Sequence, residues 1–369
     1  MITHPCGQLS PRGVLDMGRR CPHSCTFCFY SFYDNSDDQF HYLRRAPWVS
    51  GEALRRVLDS FVSWGLTHFD YTGGEPSLHP ECVEITRYAH RELGLKGRMI
   101  TLGMFLLAPR QRGGVLLDDL LEAGLDDFLF SFHTADPALF KQLTGAELDK
   151  LHRVMDHLDD RGFSYCINIV VSSLNEQTLS ETVAALGGRR VRMVNFILMR
   201  MDWGLRNRPN IAIAKKGRLT HTIRHLTAAV DLLNQSGIAV NIRYAPYCLL
   251  KGYERHIVGY KGLQLDPYEW RNGTLAASEG VPYLKCHTLD EHRHEVVPRF
   301  ENDPVYKLVF GPQCAGCGLR PICDGADAFY IEEFGWEEFV PYAPPVIHDY
   351  VHFRHDYPGV FLMKEQPHE

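Results

Sequence analysis

Between residues 13 and 200 the chain keeps changing its hydrophobic period, from two to about 3.6 and back. VLDMGR (14–19), THFDYTG (67–73), KGRMITLGMF (96–105), DDFLFSFH (126–133), SYCINIVVS (164–172) and VRMVNFILMR (191–200) read as strands. GEALRRVLDSFVSWG (51–65), PECVEITRYAHREL (80–93), VLLDDLLEAG (115–124), the stretch 137–162 and EQTLSETVAALGG (176–188) read as the helices between them. Parallel neighbours need a crossover between strands, and the five intervening helical stretches supply one each time. The pattern therefore predicts an α/β fold, a parallel sheet of βαβ units left open or curled into a partial barrel. Ligand chemistry in such sheets collects at the carboxyl ends of the strands. The loop CPHSCTFCFY (21–30), the turn Gly73-Gly74-Glu75-Pro76, Ser131, Asn168 and Arg200 all fall at or near such ends.

Beyond residue 205 the rhythm changes. GRLTHTIRHLTAAVDLLNQSG (217–237) is a long helix, and IAVNIRYAP (238–246) is a strand leading to Cys248. Residues 249–312 are rich in Gly, Pro, Tyr and His with weak periodicity, and CAGCGLRPICDG (314–325) is a tight Cys/Gly knot. A short strand pair is expected around AFYIEEFGWEEFVPY, and a tail packed along the surface after it. The expected divisions are an extension (1–12), the partial barrel (13–215), a cysteine-bearing domain (216–340) and the tail (341–369).

Eleven cysteines are many for a chain with no secretory signal pattern and a large core. Tight spacing favours metal or cluster ligation over a disulfide framework, and no apolar run approaches a membrane span. A cytoplasmic chain is expected. With 39 basic against 45 acidic residues there is no global attraction to phosphate backbones, so neither nucleic acid nor membrane is an expected partner.

Cys21, Cys25 and Cys28 stand as CxxxCxxC on one loop. Structural zinc takes four ligands, with His23 the nearest fourth, whereas a cubane 4Fe–4S cluster held by three thiolates keeps one iron open. CxxxCxxC with Phe27 before the third cysteine, after a first strand, resembles the signature of radical S-adenosylmethionine (SAM) enzymes. TGGEP at 72–76 resembles that family's second motif, and the likeness extends over about residues 13 to 205. It implies a partial (β/α)6 TIM-like barrel, with SAM chelating the open iron. One electron from the cluster then cleaves the cofactor, and the 5′-deoxyadenosyl radical takes a hydrogen atom from substrate. The resemblance assigns cofactor contacts to Phe27, Gly73, Gly74, Glu75 and Pro76, and more loosely to Ser131, Asn168 and Arg200. Thr101 and Gly103 occupy the place of a Thr-Asn-Gly-like turn from which this sequence departs. The bland alternative for these positions is strand-end capping.

The second group, Cys314, Cys317 and Cys323 with Cys248 upstream, could be a zinc knot. It also resembles the SPASM or twitch extensions that carry an auxiliary 4Fe–4S cluster, although the full seven-cysteine pattern is not met. Those four cysteines are the expected ligands, Cys286 is an alternative, and His292 and His294 read as solvated. Cys82 and Cys166 read as small core residues, unless Cys166 faces the barrel interior and returns a hydrogen atom to a substrate radical. Tyr71 and Asp202 are further catalytic candidates, and Tyr30, Tyr33, Asp70, His133, Arg243 and Tyr247 are lining candidates.

The leading expectation for the reaction is oxidation of a small polar molecule, such as a sugar, nucleoside or amino-acid derivative. An auxiliary cluster would accept the electron, and a reduced flavodoxin- or ferredoxin-type protein would supply the first one. About a dozen residues precede the first strand, which argues against a leader-binding domain there, and no cobalamin domain precedes the barrel. Peptide modification by epimerisation or C–C or C–S bond formation is the second reading, and a non-catalytic metal-binding scaffold the third.

Overall fold

The computed structural model describes residues 3–4, 7–8, 12–28, 40–63, 65–111, 113–199, 217–258, 274–278, 281–285, 308–349 and 352–354. Its centre is a parallel sheet whose strands are β1 (Arg12–Asp16), β2 (His68–Thr72), β3 (Lys96–Thr101), β4 (Leu125–Ser131), β5 (Tyr165–Val171), β6 (Val191–Leu198), β7 (Ala239–Arg243) and β8 (Ile257–Val258). Every one pairs with its sequence neighbour, so the sheet winds in one direction into a curled half-barrel. A further strand, β9 (Thr274–Ser278), runs parallel to β1, and β10 (Val281–Lys285) pairs antiparallel with β9. The six strands read from sequence are all present. The change of rhythm after residue 205 does not end the sheet, because α7 (Leu219–Gln235) and β7 continue the same βα repeat.

The crossovers follow from local chemistry. Helix α1 (Gly51–Ser63) buries Ala53, Leu54, Val57, Leu58 and Phe61, one stripe at helical spacing. Helices α2 (Cys82–Arg87) and α3 (Leu116–Ala123) follow β2 and β3. The stretch 137–162 is two helices, α4 (Pro137–Thr144) and α5 (Leu148–Asp160). Asp136 caps α4 by accepting from the N–H groups of Ala138 and Leu139, and Gly145 ends it at φ 71°. Helix α6 (Leu179–Ala184) follows β5. Phe69, Tyr71, Phe128, Phe130, Tyr165 and Phe196 join the helix stripes in the main core.

The inner face of the sheet is layered. At its amino-terminal end Asp70 accepts from Arg12 at 2.7 Å and from Arg98 at 2.9 and 2.8 Å, and Arg192 meets Asp127 at 2.6 Å. This floor of charges rests below an apolar layer, Leu129, Cys166 and Met193, with Ile100 and Ala239 against it. Above that, Ser131, Asn168, Asn195 and Asn241 stand in register on β4, β5, β6 and β7.

One expectation is corrected. AFYIEEFGWEEFVPY is not a strand pair: β12 (Ala326–Asp327) pairs with β11 (Leu308–Val309), and α8 (Ala328–Phe334) follows at once. Asp327 caps α8 by accepting from the Phe329 N–H, and Gly335 stops it at φ 72°, so cap chemistry outweighs the aromatic content. Among the described residues no helix is long and apolar enough to cross a membrane.

Candidate active site

The loop after β1 is held from two sides. Ser24 and Thr26 donate their backbone N–H groups to the carbonyls of Thr144 and Leu143, which the end of α4 leaves unpaired. Cys21 N–H donates to the Leu43 carbonyl at 2.8 Å. Cys21, Cys25 and Cys28 are thereby gathered and partly buried. Burial, then the charges of Cys28 and Cys21, pushes the Cys25 thiol well up; burial and the Glu75 charge do the same for Cys21. Thiolates so close together are stable only beside compensating positive charge, which an iron cluster provides. Among the described residues no three His, Cys, Asp or Glu side chains form a site for a single metal ion. A cubane takes each thiolate at a separate iron, so the loop fits that group.

The turn after β2 lies against the approach to this loop. Gly74 N–H donates to the Gly18 carbonyl and Glu75 N–H to that of Arg20, both at 2.9 Å. Gly73 has φ 116°, and a Cβ at Gly73 or Gly74 would overlap the carbonyl oxygen of Gly18 or Arg20. Only glycine permits that approach. The Glu75 carboxylate is buried and occupied: it accepts from Ser77 N–H at 3.2 Å and Oγ at 2.5 Å, Thr101 Oγ1 at 2.6 Å and Leu102 N–H at 3.3 Å. Thr101 therefore braces Glu75, and its Oγ1 also accepts from Gly103 N–H. Pro76 opens the short helical turn that follows.

Phe27 meets His133 edge-on at 4.6 Å, linking the cysteine loop to the end of β4. His133 Nδ1 accepts from the Val170 N–H at 3.1 Å, which leaves the proton of the neutral ring on Nε2. Burial draws its pKa down to about 3. Ser131 and Asn168 share the rung just inside.

Other sequence candidates are placed differently. Tyr71 lies on the helix-facing side of β2, fully buried, with its hydroxyl 2.9 Å from Thr86 Oγ1. The period-2 alternation sends it outward and its neighbour Asp70 inward to the charged floor, so neither lines the carboxyl end. Cys166 faces the interior, but in the apolar layer, 3.9 Å from Asp127 and 3.6 Å from Arg192. Burial holds it a thiol, with its pKa pushed up to about 11. Cys82 is buried in the main core. Cys6, Tyr30, Tyr33, Arg200, Asp202, Cys286, His292 and His294 lie outside the described residues.

The second cysteine group lines a partly open cavity, with Cys248, Cys314, Cys317 and Cys323 beside Tyr247, Phe310, Trp336, Phe339 and Tyr342. Burial and then the charges of Cys323, Cys314 and Cys317 push the Cys248 thiol up to about 12, so all four thiols act on one space. Backbone N–H groups of Tyr342 and Gly325 donate to the sulfurs of Cys317 and Cys323, each at 3.4 Å. The chain reaches Cys248 through Tyr244, which takes φ 64° at the end of β7. Such left-handed geometry in a tyrosine is strained and turns the strand toward the cavity. Pro341 and Tyr342 belong to the cavity wall, so the expected boundary at residue 340 cuts through it. The tail is not merely superficial either: Arg354 is buried and donates to Asn241 Oδ1 at 2.9 Å. Tyr342, Arg354 and Asn195 were not singled out from sequence. Only Asn195, a lone amide within VRMVNFIL, carried a readable signal.

Residues 15–186 match the model of the Radical SAM superfamily, and the chain carries the enzyme domain of that family, with its 4Fe–4S cluster and SAM as cofactors. It is similar to a PqqA peptide cyclase of Ruegeria pomeroyi, 24% identical over 300 residues that cover 80% of this chain and 72% of that protein. A PqqA peptide cyclase of Streptomyces rochei is 26% identical over 224 residues, and the chain spans only 57% of its length. Among solved structures, SuiB of Streptococcus suis bound to SAM gives a TM-score of 0.60 at 19% identity, covering 93% of this chain and 78% of that one. That last likeness is one of fold.

Proposed function

We propose that the chain is a peptide-modifying radical SAM enzyme that uses a second 4Fe–4S cluster held by Cys248, Cys314, Cys317 and Cys323. The observation that carries the cluster is the shared cavity of those four thiols, with backbone N–H groups already directed at two sulfurs. A peptide substrate is supported by the similarity to PqqA peptide cyclases over 80% of the chain. SuiB, which shares the fold at a TM-score of 0.58, was solved with its precursor peptide SuiA. These likenesses favour the second reading of the sequence over a small polar substrate.

Bound cluster and SAM supply one-electron chemistry and abstraction of a hydrogen atom. The chain's own part is positional. The cysteine loop and the glycine turn hold the methionine end. Phe27 and His133 bound the adenosyl side, and the apolar layer under the asparagine rung excludes water from below. Cys248 lies five residues beyond Arg243 at the end of β7, so it is at most about 18 Å from the rim of the barrel. That reach suits the cavity cluster to exchange electrons with a substrate held there, while a reduced flavodoxin- or ferredoxin-type donor feeds the first cluster.

Anaerobic reconstitution tests both parts. Two cubanes require about eight irons per chain, and Cys314→Ala with Cys317→Ala should leave about four. A wild-type value near four removes the second cluster. A short peptide encoded beside the gene, incubated with protein, SAM and dithionite, should change mass as 5′-deoxyadenosine forms. If turnover instead follows a sugar or nucleoside and no peptide is altered, the substrate reading fails.

A further inference from the structure

We infer that His23, inside the cysteine loop, is a positioning residue: its ring Nε2–H bonds the Glu75 carboxylate and locks the loop to the glycine turn when the cofactor is bound. His23 stands between Cys21 and Cys25 in sequence, yet its ring faces Glu75 and Phe105. The residue is 7% exposed, and Nε2 is buried without a hydrogen-bond partner. An unpaired ring nitrogen is unfavourable at a position that only fills space. The Phe105 ring, its centroid 5.7 Å away, offers no lone pair from that side. Glu75 Oε2 is 3.8 Å from Nε2. The two oxygens of that carboxylate are unequally supplied. Oε1 accepts from Ser77 N–H and Oγ and from Thr101 Oγ1. Among the described residues Oε2 accepts from Leu102 N–H alone, at a long 3.3 Å. A carboxylate oxygen takes a second donor readily. The unpaired nitrogen and the undersupplied oxygen are therefore neighbours, about 1 Å beyond bonding distance, and a small turn of the ring closes the gap.

The bond joins links already in place. The His23 backbone N–H bonds the Cys21 sulfur, and Glu75 N–H holds the Arg20 carbonyl at 2.9 Å. With Nε2 on Oε2, residues 20–23 and Glu75 form a closed ring of contacts, and Thr101 ties the same carboxylate to the end of β3. A thiolate ligand and the turn that holds the methionine end are thereby set in one fixed relation. Leucine at 23 fills the same space but cannot set it. The inference rests on the cofactor of the family and not on the peptide reading.

His23→Leu and His23→Gln in the full reconstituted chain test it. Leucine keeps the bulk and loses the donor, whereas the glutamine amide nitrogen takes the place of Nε2. His23→Leu should hold the wild-type iron content while SAM affinity by equilibrium dialysis falls roughly tenfold. His23→Gln should bind within about threefold of wild type. The pairing with Glu75 is read in urea. Glu75→Gln and His23→Leu should each lower the denaturation midpoint of the reconstituted chain, and the double variant should lie no lower than Glu75→Gln alone. Unchanged affinity in His23→Leu overturns the inference, as does a glutamine variant that binds as poorly as the leucine one. Loss of iron in His23→Leu also overturns it, because the ring would then shape the cysteine loop itself. Additive midpoints would give His23 a partner other than Glu75 and overturn the pairing. Wild-type binding in the same dialysis keeps failure of this assignment separate from failure of the cofactor reading.

Discussion

At position 74 a single methyl group meets the Arg20 carbonyl, which the neighbouring Glu75 N–H already holds at 2.9 Å. Gly74→Ala must therefore push the turn away from the cysteine loop. We expect a loss of about 1–3 kcal/mol in urea denaturation and a larger loss of SAM affinity by dialysis. Wild-type affinity in a folded Gly74→Ala protein would separate the turn from the cofactor. His133 makes a different prediction, about pH. Its folded pKa of about 3 is below the ordinary value near 6.5, so the fold prefers the neutral ring. The resulting stability is complete above about pH 6.5 and is lost as pH falls toward about 3, at up to about 1.4 kcal/mol per pH unit. His133→Gln should flatten that part of the stability profile when denaturation is measured at several pH values; an unchanged slope would remove His133 as its source. Residues of this kind show how far the sequence was legible. Spacing singled out the three cysteines, and strand-end position with the likeness of TGGEP to a radical SAM motif singled out the glycine turn. Tyr71 and Asp70 are adjacent letters on one strand, and both faces of a parallel sheet are buried, so pattern could not say which looked inward.

Elements were legible wherever period and capping agreed. Strands β1 to β6 and their helices met that condition, as Asp136 and Gly145 show at the two ends of α4. β7 was read as a strand behind a long helix, but β8 is two residues long, too short for alternation to show that the sheet continues beyond it. The charged floor was also hidden, because Arg12, Asp70, Arg98, Asp127 and Arg192 are scattered over five strands that only register brings together. Asp70 is its pivot, bonded to two buried arginines. Asp70→Ala removes the carboxylate that both buried arginines bond and should cost about 3–5 kcal/mol by denaturation. A change under about 1 kcal/mol would mean that water already carries the floor's charge.

At the scale of the whole molecule, the carboxyl-terminal segment closes the cysteine cavity. Tyr342 lines it, donates its N–H to Cys317 and bonds Glu254 through its hydroxyl; Gly318 N–H donates to the Tyr342 carbonyl at 2.9 Å. Phe353 packs on Tyr247 at 5.8 Å, and Arg354 fastens the same segment to Asn241 inside the barrel. One strap thus touches both the cavity and the asparagine rung, a link that composition rich in Pro, His and Tyr could not disclose. Truncation after Val340 removes Pro341 and Tyr342 from the cavity wall, and with Tyr342 the N–H donor to Cys317, but no cysteine of either group. The reconstituted truncated chain should hold about four irons in place of about eight and keep the signal of the cluster at Cys21, Cys25 and Cys28. Tyr342→Phe, which retains the backbone N–H, should hold the full complement. If the truncated chain also binds about eight, the four cysteines alone suffice for the second cluster, and the strap serves only to join tail to barrel.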